Sequence, residues 1–370
     1  MKTVMFVLPS LGGGGAERVV LTLLKHLDRT QFSLSLVVIN TRRSVHLGEV
    51  PRDVELIDFG SRRVRAALVK LMRLIRRRRP DVVFSTQGYL NLGIALIKPW
   101  LPVATRCLAR ETSIVSKVLH LHRRPVVLRF LYHRVYKRLD AVICQSRAMR
   151  DDLVAAYAFP AGKTVIIHNP VDVDWVRERA REKVELVGLK PGRLNLVTAG
   201  RLSPEKGLDS VIAALALCRM PNLNLVILGE GKLRAALEAR ASQLGVGGQV
   251  QFAGFQTNPY PWFAHADLFV LGSRSEGFPN VALEALACGT PLVATPCDSL
   301  ADLGVDASDG LLARDFTPQA LADAIQQAVA RRADFSVSIE RIRTKFGIDT
   351  IARQYRDLLL GSGREPAVVE

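Results

Sequence analysis

Short apolar runs alternate with segments of helical periodicity from one end of this chain to the other, and the scheme starts afresh near the middle. Val4–Leu8, Ser35–Ile39, Val82–Ser85, Ala141–Gln145 and Val165–Ile167 read as strands, while Ala16–Leu27, Val64–Arg79 and Val126–Arg138 carry apolar residues at helical spacing. In the second half Asn195–Thr198, Asn224–Leu228, Gln249–Ala253, Leu268–Leu271 and Pro291–Ala294 read as strands. Ser210–Ala216, Leu233–Leu244, Asn280–Cys288 and Thr317–Arg331 read as helices. The alternation predicts an α/β protein whose parallel sheets are covered by helices on both faces. A length of 370 residues suits two such domains. The crossing falls between about 168 and 193, from the turn His168-Asn169-Pro170-Val171-Asp172 to Pro191-Gly192, with the charged stretch Arg177 to Lys190 between. This places a first domain at 1–170, a linker at 171–192 and a second domain at 193–349. A helix at about 350–361, around the periodic run Ile351–Leu360, packs back on the first.

Five cysteines, Cys107, Cys144, Cys218, Cys288 and Cys297, lie far apart with no Cys-x-x-Cys, which argues against a disulfide framework or a zinc cage and favours a reducing cytoplasm. Val4 to Leu8 is too short for a signal-peptide core, and no run of 18 apolar residues would span a membrane. The charge is lopsided. Residues 1–182 carry 32 Lys/Arg against 15 Asp/Glu, a net of +17, so the rest of the chain is close to neutral. The cations cluster at Arg62-Arg63-x-Arg65, Lys70 to Arg79 and Arg123 to Arg138. Nucleic acid, an anionic membrane surface and a phosphate-bearing substrate all attract such a surface, and a solvated, solubilising face is the plain alternative. No helix-turn-helix, zinc finger or RNA-binding aromatic motif supports nucleic acid. Leu68, Leu71, Met72 and Ile75, and again Val127, Phe130, Leu131 and Val135, form apolar stripes expected to pack on the sheet with their basic backs outward.

Three segments could carry chemistry. Leu11-Gly12-Gly13-Gly14-Gly15-Ala16-Glu17-Arg18 follows the first strand and opens the first helix, so backbone and helix-end N–H groups can approach an anion. It departs from the dinucleotide fingerprint, whose third glycine falls on Arg18 and whose ribose-binding acid is replaced near Asn40. Gly200-Arg201-Leu202-Ser203-Pro204-Glu205-Lys206-Gly207 sets two cations five residues apart on one loop, able to neutralise a departing diphosphate; an exposed polar turn is its plain reading. Glu276-Gly277-Phe278-Pro279-Asn280-Val281-Ala282-Leu283-Glu284 sets two carboxylates about a helix amino terminus, with Asn280 as a candidate cap.

Taken in order, these three motifs resemble those of family 4 retaining glycosyltransferases, over roughly residues 4 to 360, and Gly272-Ser273-x-Ser275-Glu276-Gly277-Phe278-Pro279-Asn280 resembles the members that assemble bacterial cell-surface glycans. The resemblance implies the GT-B fold, two Rossmann-like domains facing a deep inter-domain cleft. It implies that Arg201 and Lys206 bind the donor pyrophosphate in the loop begun by Gly200, and that Gly277 and Phe278 add backbone amides. By the same resemblance Glu276 holds the transferred sugar, Glu284 the nucleotide ribose, and Gly254-Phe255 borders the base, with Pro279 and Asn280 completing the donor loop. Gly13, Gly14 and Gly15 would line the cleft between acceptor and donor phosphates. The family histidine of the amino-terminal domain has no counterpart in Ala109-Arg110-Glu111-Thr112-Ser113. Arg110 or Glu111 is the acceptor-contact candidate there, against a structural ion pair, and His120 and His122 read as surface or packing residues.

The implied activity is transfer of a hexose or N-acetylhexosamine, most simply from a UDP-sugar, to a lipid-linked glycan acceptor such as a polyprenyl diphosphate. No metal or other cofactor is expected, and the expected location is the cytoplasmic face of the inner membrane. Asp172-Val173-Asp174 spells the metal-binding Asp-x-Asp of another glycosyltransferase architecture, but here it follows His168-Asn169-Pro170 at the domain crossing and reads as turn chemistry. A nucleotide-sugar epimerase or phosphorylase of the same fold, and a non-enzymatic basic module binding membrane or nucleic acid, are the rival readings. A nicotinamide dehydrogenase is disfavoured by the broken fingerprint.

Overall fold

The computed structural model describes residues 1–12, 14–42, 44–61, 64–119 and 124–362. It divides into two compact units, Met1–Pro170 joined by the chain from Ile348 onward, and Val171–Gly347.

Among the described residues unit 1 is built on seven parallel strands: β1 (Lys2–Leu8), β2 (Phe32–Val38), β3 (Glu55–Asp58), β4 (Val82–Thr86), β5 (Arg106–Arg110), β6 (Ala141–Cys144) and β7 (Thr164–Ile166), in the order β3-β2-β1-β4-β5-β6-β7. Its helices are α1 (Gly15–His26), α2 (Val64–Arg78), α3 (Gly88–Ile97), α4 (Val115–Leu119), α5 (Pro125–Arg134) and α6 (Arg147–Tyr157). The period of two in β1 assigns its faces. Val4, Phe6 and Leu8 pack with α1, whereas Met5 and Val7 share a core with residues of α2 to α6.

Unit 2 holds α7 (Val173–Ala180), then β8 (Leu194–Ala199), β9 (Leu223–Leu228), β10 (Val250–Gly254), β11 (Leu268–Leu271), β12 (Leu292–Ala294) and β13 (Gly310–Leu312), parallel in the order β10-β9-β8-β11-β12-β13. Helices α8 (Leu208–Cys218), α9 (Arg234–Gln243) and α13 (Pro318–Ala330) cover one face. The other is covered by α7, α10 (Tyr260–Ala264), α11 (Asn280–Ala287), α12 (Leu300–Leu303) and α14 (Ile339–Phe346). The last helix, α15 (Ile348–Leu360), packs on unit 1 through Ile351, Tyr355 and Leu359 beside α1.

Two expectations are corrected. Residues 171–192 are not a linker. Val173, Val176 and Ala180 recur at helical spacing and bury against Tyr260, Trp262 and Phe263, and the Asp172 carboxylate caps α7 by accepting from Trp175 N at 3.0 Å. The stretch beyond is tied down too: Trp262 Nε1 donates to Val187 O at 3.1 Å and Asn224 Nδ2 to Gly188 O at 2.8 Å. The charges of this segment disguise a helix with one apolar face. The second correction concerns α5. Tyr132 and Val135 are its buried anchors, while Val127 is 51% and Phe130 61% exposed, as is the preceding Val126 at 80%. The stripe expected to pack on the sheet is split: Val127 and Phe130 turn outward, while Leu131 packs partly buried against the core and Val135, just past the helix, is buried.

At the centre of each sheet, two adjacent strands send their chains to opposite faces. In unit 1 it lies between β1, which feeds α1, and β4, which feeds α3. In unit 2 it lies between β8, which feeds α8, and β11, which feeds α11. Crevices outside the carboxyl ends of strands at such points are where open α/β sheets bind ligands.

Candidate active site

At the unit 2 switch point, Arg201 and Lys206 leave β8 on one loop and Glu276 to Phe278 leave β11 on the other. The two loops touch backbone to backbone. Gly207 has φ +58, and a Cβ there would lie 2.0 Å from Gly272 O, so only glycine lets the strands' continuations approach this closely. The β9 loop closes in likewise: Gly229 has φ +130, and its Cβ would lie 2.0 Å from Gly200 O. Lys206 Nζ donates to Glu276 Oε1 at 2.7 Å, which also accepts from Ser273 Oγ at 2.6 Å. The side chains are 21% and 12% exposed, so this ion pair is largely shielded from water. Arg201 stands exposed, with no hydrogen-bond or ion-pair partner for its guanidinium among the described residues.

The other donor-site candidates fall around this pair. Phe278 buries its ring against Phe346, at 5.7 Å between centroids, so its side chain is committed to packing. Gly277 and Pro279 are buried in the same loop. Asn280 is the first residue of α11, with Pro279 in the cap position, rather than the cap itself. Glu284 lies one turn into α11, buried. Gly254, at φ +73, ends β10 and accepts through its carbonyl from Gly229 N at 2.7 Å, while Phe255 is exposed. Chemically the site offers two cations, helix-end and loop amides, and two carboxylates, a set suited to a charged leaving group flanked by hydroxyl-rich rings. Gly229 and Gly231 carry no role in the sequence reading, although Gly229-Glu230-Gly231 directly after an apolar strand is the available signal; Ser273 is quoted there only within a longer segment, without the hydrogen bond it makes.

In unit 1, Gly14 caps α1 and Gly15 begins it; Gly13, His120 and His122 lie outside the described residues. Arg110 and Glu111 do not reach a surface where an acceptor could touch them. Both are buried, and they are not paired with each other. Arg110 donates to Thr86 Oγ1 at 3.4 Å and to Asn169 Oδ1. Glu111 accepts from the Tyr136 hydroxyl, from Asn91 Nδ2 at 3.3 Å and from the Tyr132 hydroxyl at 3.4 Å. Burial pushes its carboxyl above the ordinary value despite those donors. β5 and β6 end in the interior here, which converts the expected contact pair into buried structural polar groups.

The Asp-x-Asp carboxylates are otherwise engaged: Asp172 caps α7 and Asp174 makes a two-pronged pair with Arg343 at 2.6 and 2.7 Å. Among the described residues no helix is long and apolar enough to cross a membrane.

Two parallel-sheet units, each with a glycine-lined crevice at its switch point, define the GT-B class, and solved glycosyltransferases share the whole architecture. Anabaena HepE in complex with UDP and glucose superimposes at a TM-score of 0.82, with 20% identity, covering 98% of this chain and 100% of that one. WaaG, a glycosyltransferase involved in lipopolysaccharide biosynthesis, gives 0.74 at 19% identity over 97% and 100%. Residues 13–175 match Glycosyltransferase Family 4 and residues 180–345 match Glycosyl transferases group 1. The Campylobacter jejuni N-acetylgalactosamine-N,N'-diacetylbacillosaminyl-diphospho-undecaprenol 4-alpha-N-acetylgalactosaminyltransferase is 30% identical over 298 residues, 77% of this chain and 78% of that protein. The lipopolysaccharide core biosynthesis glycosyltransferase LpsE of Rhizobium meliloti is 27% identical over 86% of each. The chain belongs to glycosyltransferase family 4.

Proposed function

We propose that the protein transfers a hexose or N-acetylhexosamine from a UDP-sugar to a polyprenyl-diphosphate-linked glycan, with retention of anomeric configuration and without a metal, at the cytoplasmic face of an anionic membrane. The observation that carries this reading is the meeting of the β8 and β11 loops, which sets Lys206 against Glu276 with the exposed Arg201 on the same loop. A nucleotide diphosphate entering there takes the lysine and the arginine, and Glu276 turns to the sugar hydroxyls. Glu284 accepts from the ribose diol. As the bond from the anomeric carbon to the phosphate oxygen lengthens, negative charge grows on that oxygen, where two cations and loop amides are already placed. The acceptor hydroxyl attacks from the same face and passes its proton to the departing phosphate, leaving UDP. In this reading the two cations do the work a divalent ion does elsewhere.

The lipid-linked acceptor is supported by the Campylobacter relative, whose name gives an undecaprenol-diphosphate substrate, and by the charge of residues 1–182. Helices α2 and α5 cover the same face of the unit 1 sheet. Arg65, Arg73, Arg76 and Arg77 on α2 and Arg124, Arg129 and Arg134 at α5 are exposed, around the outward Val126, Val127 and Phe130. Each cation near an anionic surface contributes about 1 kcal/mol, and the apolar side chains can enter the headgroup boundary.

Given UDP-sugars and polyprenyl-diphosphate oligosaccharide in excess EDTA, the purified protein is expected to lengthen the glycan by one sugar with retained configuration. Product only after Mg²⁺ or Mn²⁺ is restored, or interconversion of free UDP-sugars with no acceptor used, contradicts the reading. Flotation with phosphatidylglycerol vesicles at physiological salt should carry the protein upward, and Phe130→Asp with Arg129→Glu should leave it in the soluble fraction. Equal flotation of both would remove this face from the account.

A further inference from the structure

Unit 1 has a second polar cluster, at its own switch point, that the motifs did not announce. Gln87 follows β4 at φ +76 and ψ 124, a backbone conformation that costs a residue with a side chain of order 1–3 kcal/mol and is kept where surroundings over-determine it. In that conformation its amide bridges two groups. Gln87 Nε2 donates to Glu17 Oε1 at 3.2 Å, and Gln87 Oε1 accepts from the Tyr89 hydroxyl at 2.8 Å. Glu17 belongs to α1, on the far side of the switch point, so the bridge spans the crevice between the β1 and β4 continuations. Glu17 is only 5% exposed, yet its second oxygen, Oε2, accepts no hydrogen bond among the described residues. That oxygen is folded back over the glycine loop, 2.4 Å from where a Cβ on Gly14 would sit. Tyr89 is 48% exposed. Burial and the neighbouring Glu17 charge push its phenol up to about 12, so it remains a donor at neutral pH.

We propose that Glu17, Gln87 and Tyr89 form the seat for the acceptor's terminal sugar, with Glu17 Oε2 accepting from a ring hydroxyl and the Tyr89 ring flanking the sugar face. This rests on the reading that unit 1 takes the acceptor, and it names which part of the acceptor. A carboxylate with an open lone pair suits a neutral polyhydroxylated ring and repels a diphosphate, so the lipid phosphates must lie elsewhere. Gly14 is then required because a methyl group there would displace the carboxylate.

The test uses the full chain and saturation-transfer NMR with the methyl glycosides of N-acetylgalactosamine, N-acetylglucosamine, galactose and glucose, in the presence of UDP, with inorganic pyrophosphate as the anion probe. At least one glycoside should show transfer. Glu17→Gln and Tyr89→Ala should weaken it roughly 10-fold or more, the scale of losing one charge-assisted hydrogen bond, while thermal midpoint and UDP affinity stay at wild-type values. Undiminished glycoside binding in both variants, silence of all four glycosides with the wild type, or pyrophosphate binding that strengthens in Glu17→Gln would each overturn the proposal. Failure of UDP to bind would overturn the donor reading and leave the glycoside result to be judged alone.

Discussion

Lys206→Ala is expected to lower kcat by roughly 10²-fold or more, the scale for removing one preorganised group that stabilises charge developing in a transition state. The effect is differential. In the structure the ammonium is already matched by Glu276 at 2.7 Å, so the ground state gains little from it. When UDP departs, the phosphate oxygen becomes the stronger anion, and the same ammonium stabilises the transition state more than the resting enzyme. Removing the ammonium leaves the Glu276 carboxylate, 12% exposed, with the Ser273 hydroxyl at 2.6 Å, so a lower melting temperature is expected beside the loss of turnover. Single-turnover measurement of UDP release under saturating donor separates this from a binding defect. Near-normal turnover would mean that the leaving group is stabilised elsewhere.

Gly229→Ala should be the most damaging small substitution outside the charged groups. A methyl there meets the Gly200 carbonyl oxygen at 2.0 Å and its carbon at 2.9 Å, and the backbone at φ +130 is itself unfavourable for alanine. Strain of this kind costs about 1–3 kcal/mol and forced overpacking a similar amount. At about 2–4 °C per kcal/mol for a unit of this size, a drop of roughly 10 °C in melting temperature is expected by calorimetry. If the β8 loop yields instead, Arg201 moves with it, and turnover falls because misplacement by about 1 Å can cost 10²-fold. Wild-type melting and wild-type turnover together would show that the close approach of the two loops is unimportant.

Five strands of each sheet were legible because parallel, doubly covered strands are written as uninterrupted apolar runs, as in Leu268–Leu271; β3 and β5, bounded by charged residues, and the three-residue β13 were not. The meeting of the β8 and β11 loops at Lys206 and Glu276 was legible because the cations and acids stand at fixed offsets from strand ends, and a strand end in such a sheet is a candidate ligand position. Three further things were not legible. The α7 helix was disguised by Arg177, Glu178 and Arg179, which equal its anchors Val173, Val176 and Ala180 in number and break up the apolar pattern. Burial of Arg110 and Glu111 depends on Asn91, Tyr132, Tyr136 and Asn169, all remote in sequence and brought together by the sheet order. The Gln87 bridge rests on a positive φ at a residue other than glycine, which no local pattern announces.

The central claim is that a nucleotide diphosphate is held by the β8 loop, and titration calorimetry with UDP and with uridine addresses it without knowledge of sugar or acceptor. The account predicts that the wild type binds UDP, that the Arg201→Ala, Lys206→Ala double variant binds it roughly 10²- to 10⁴-fold more weakly, at about 1.5–3 kcal/mol for each charged contact, and that uridine does not distinguish the two proteins. UDP binding of equal strength in both would contradict it.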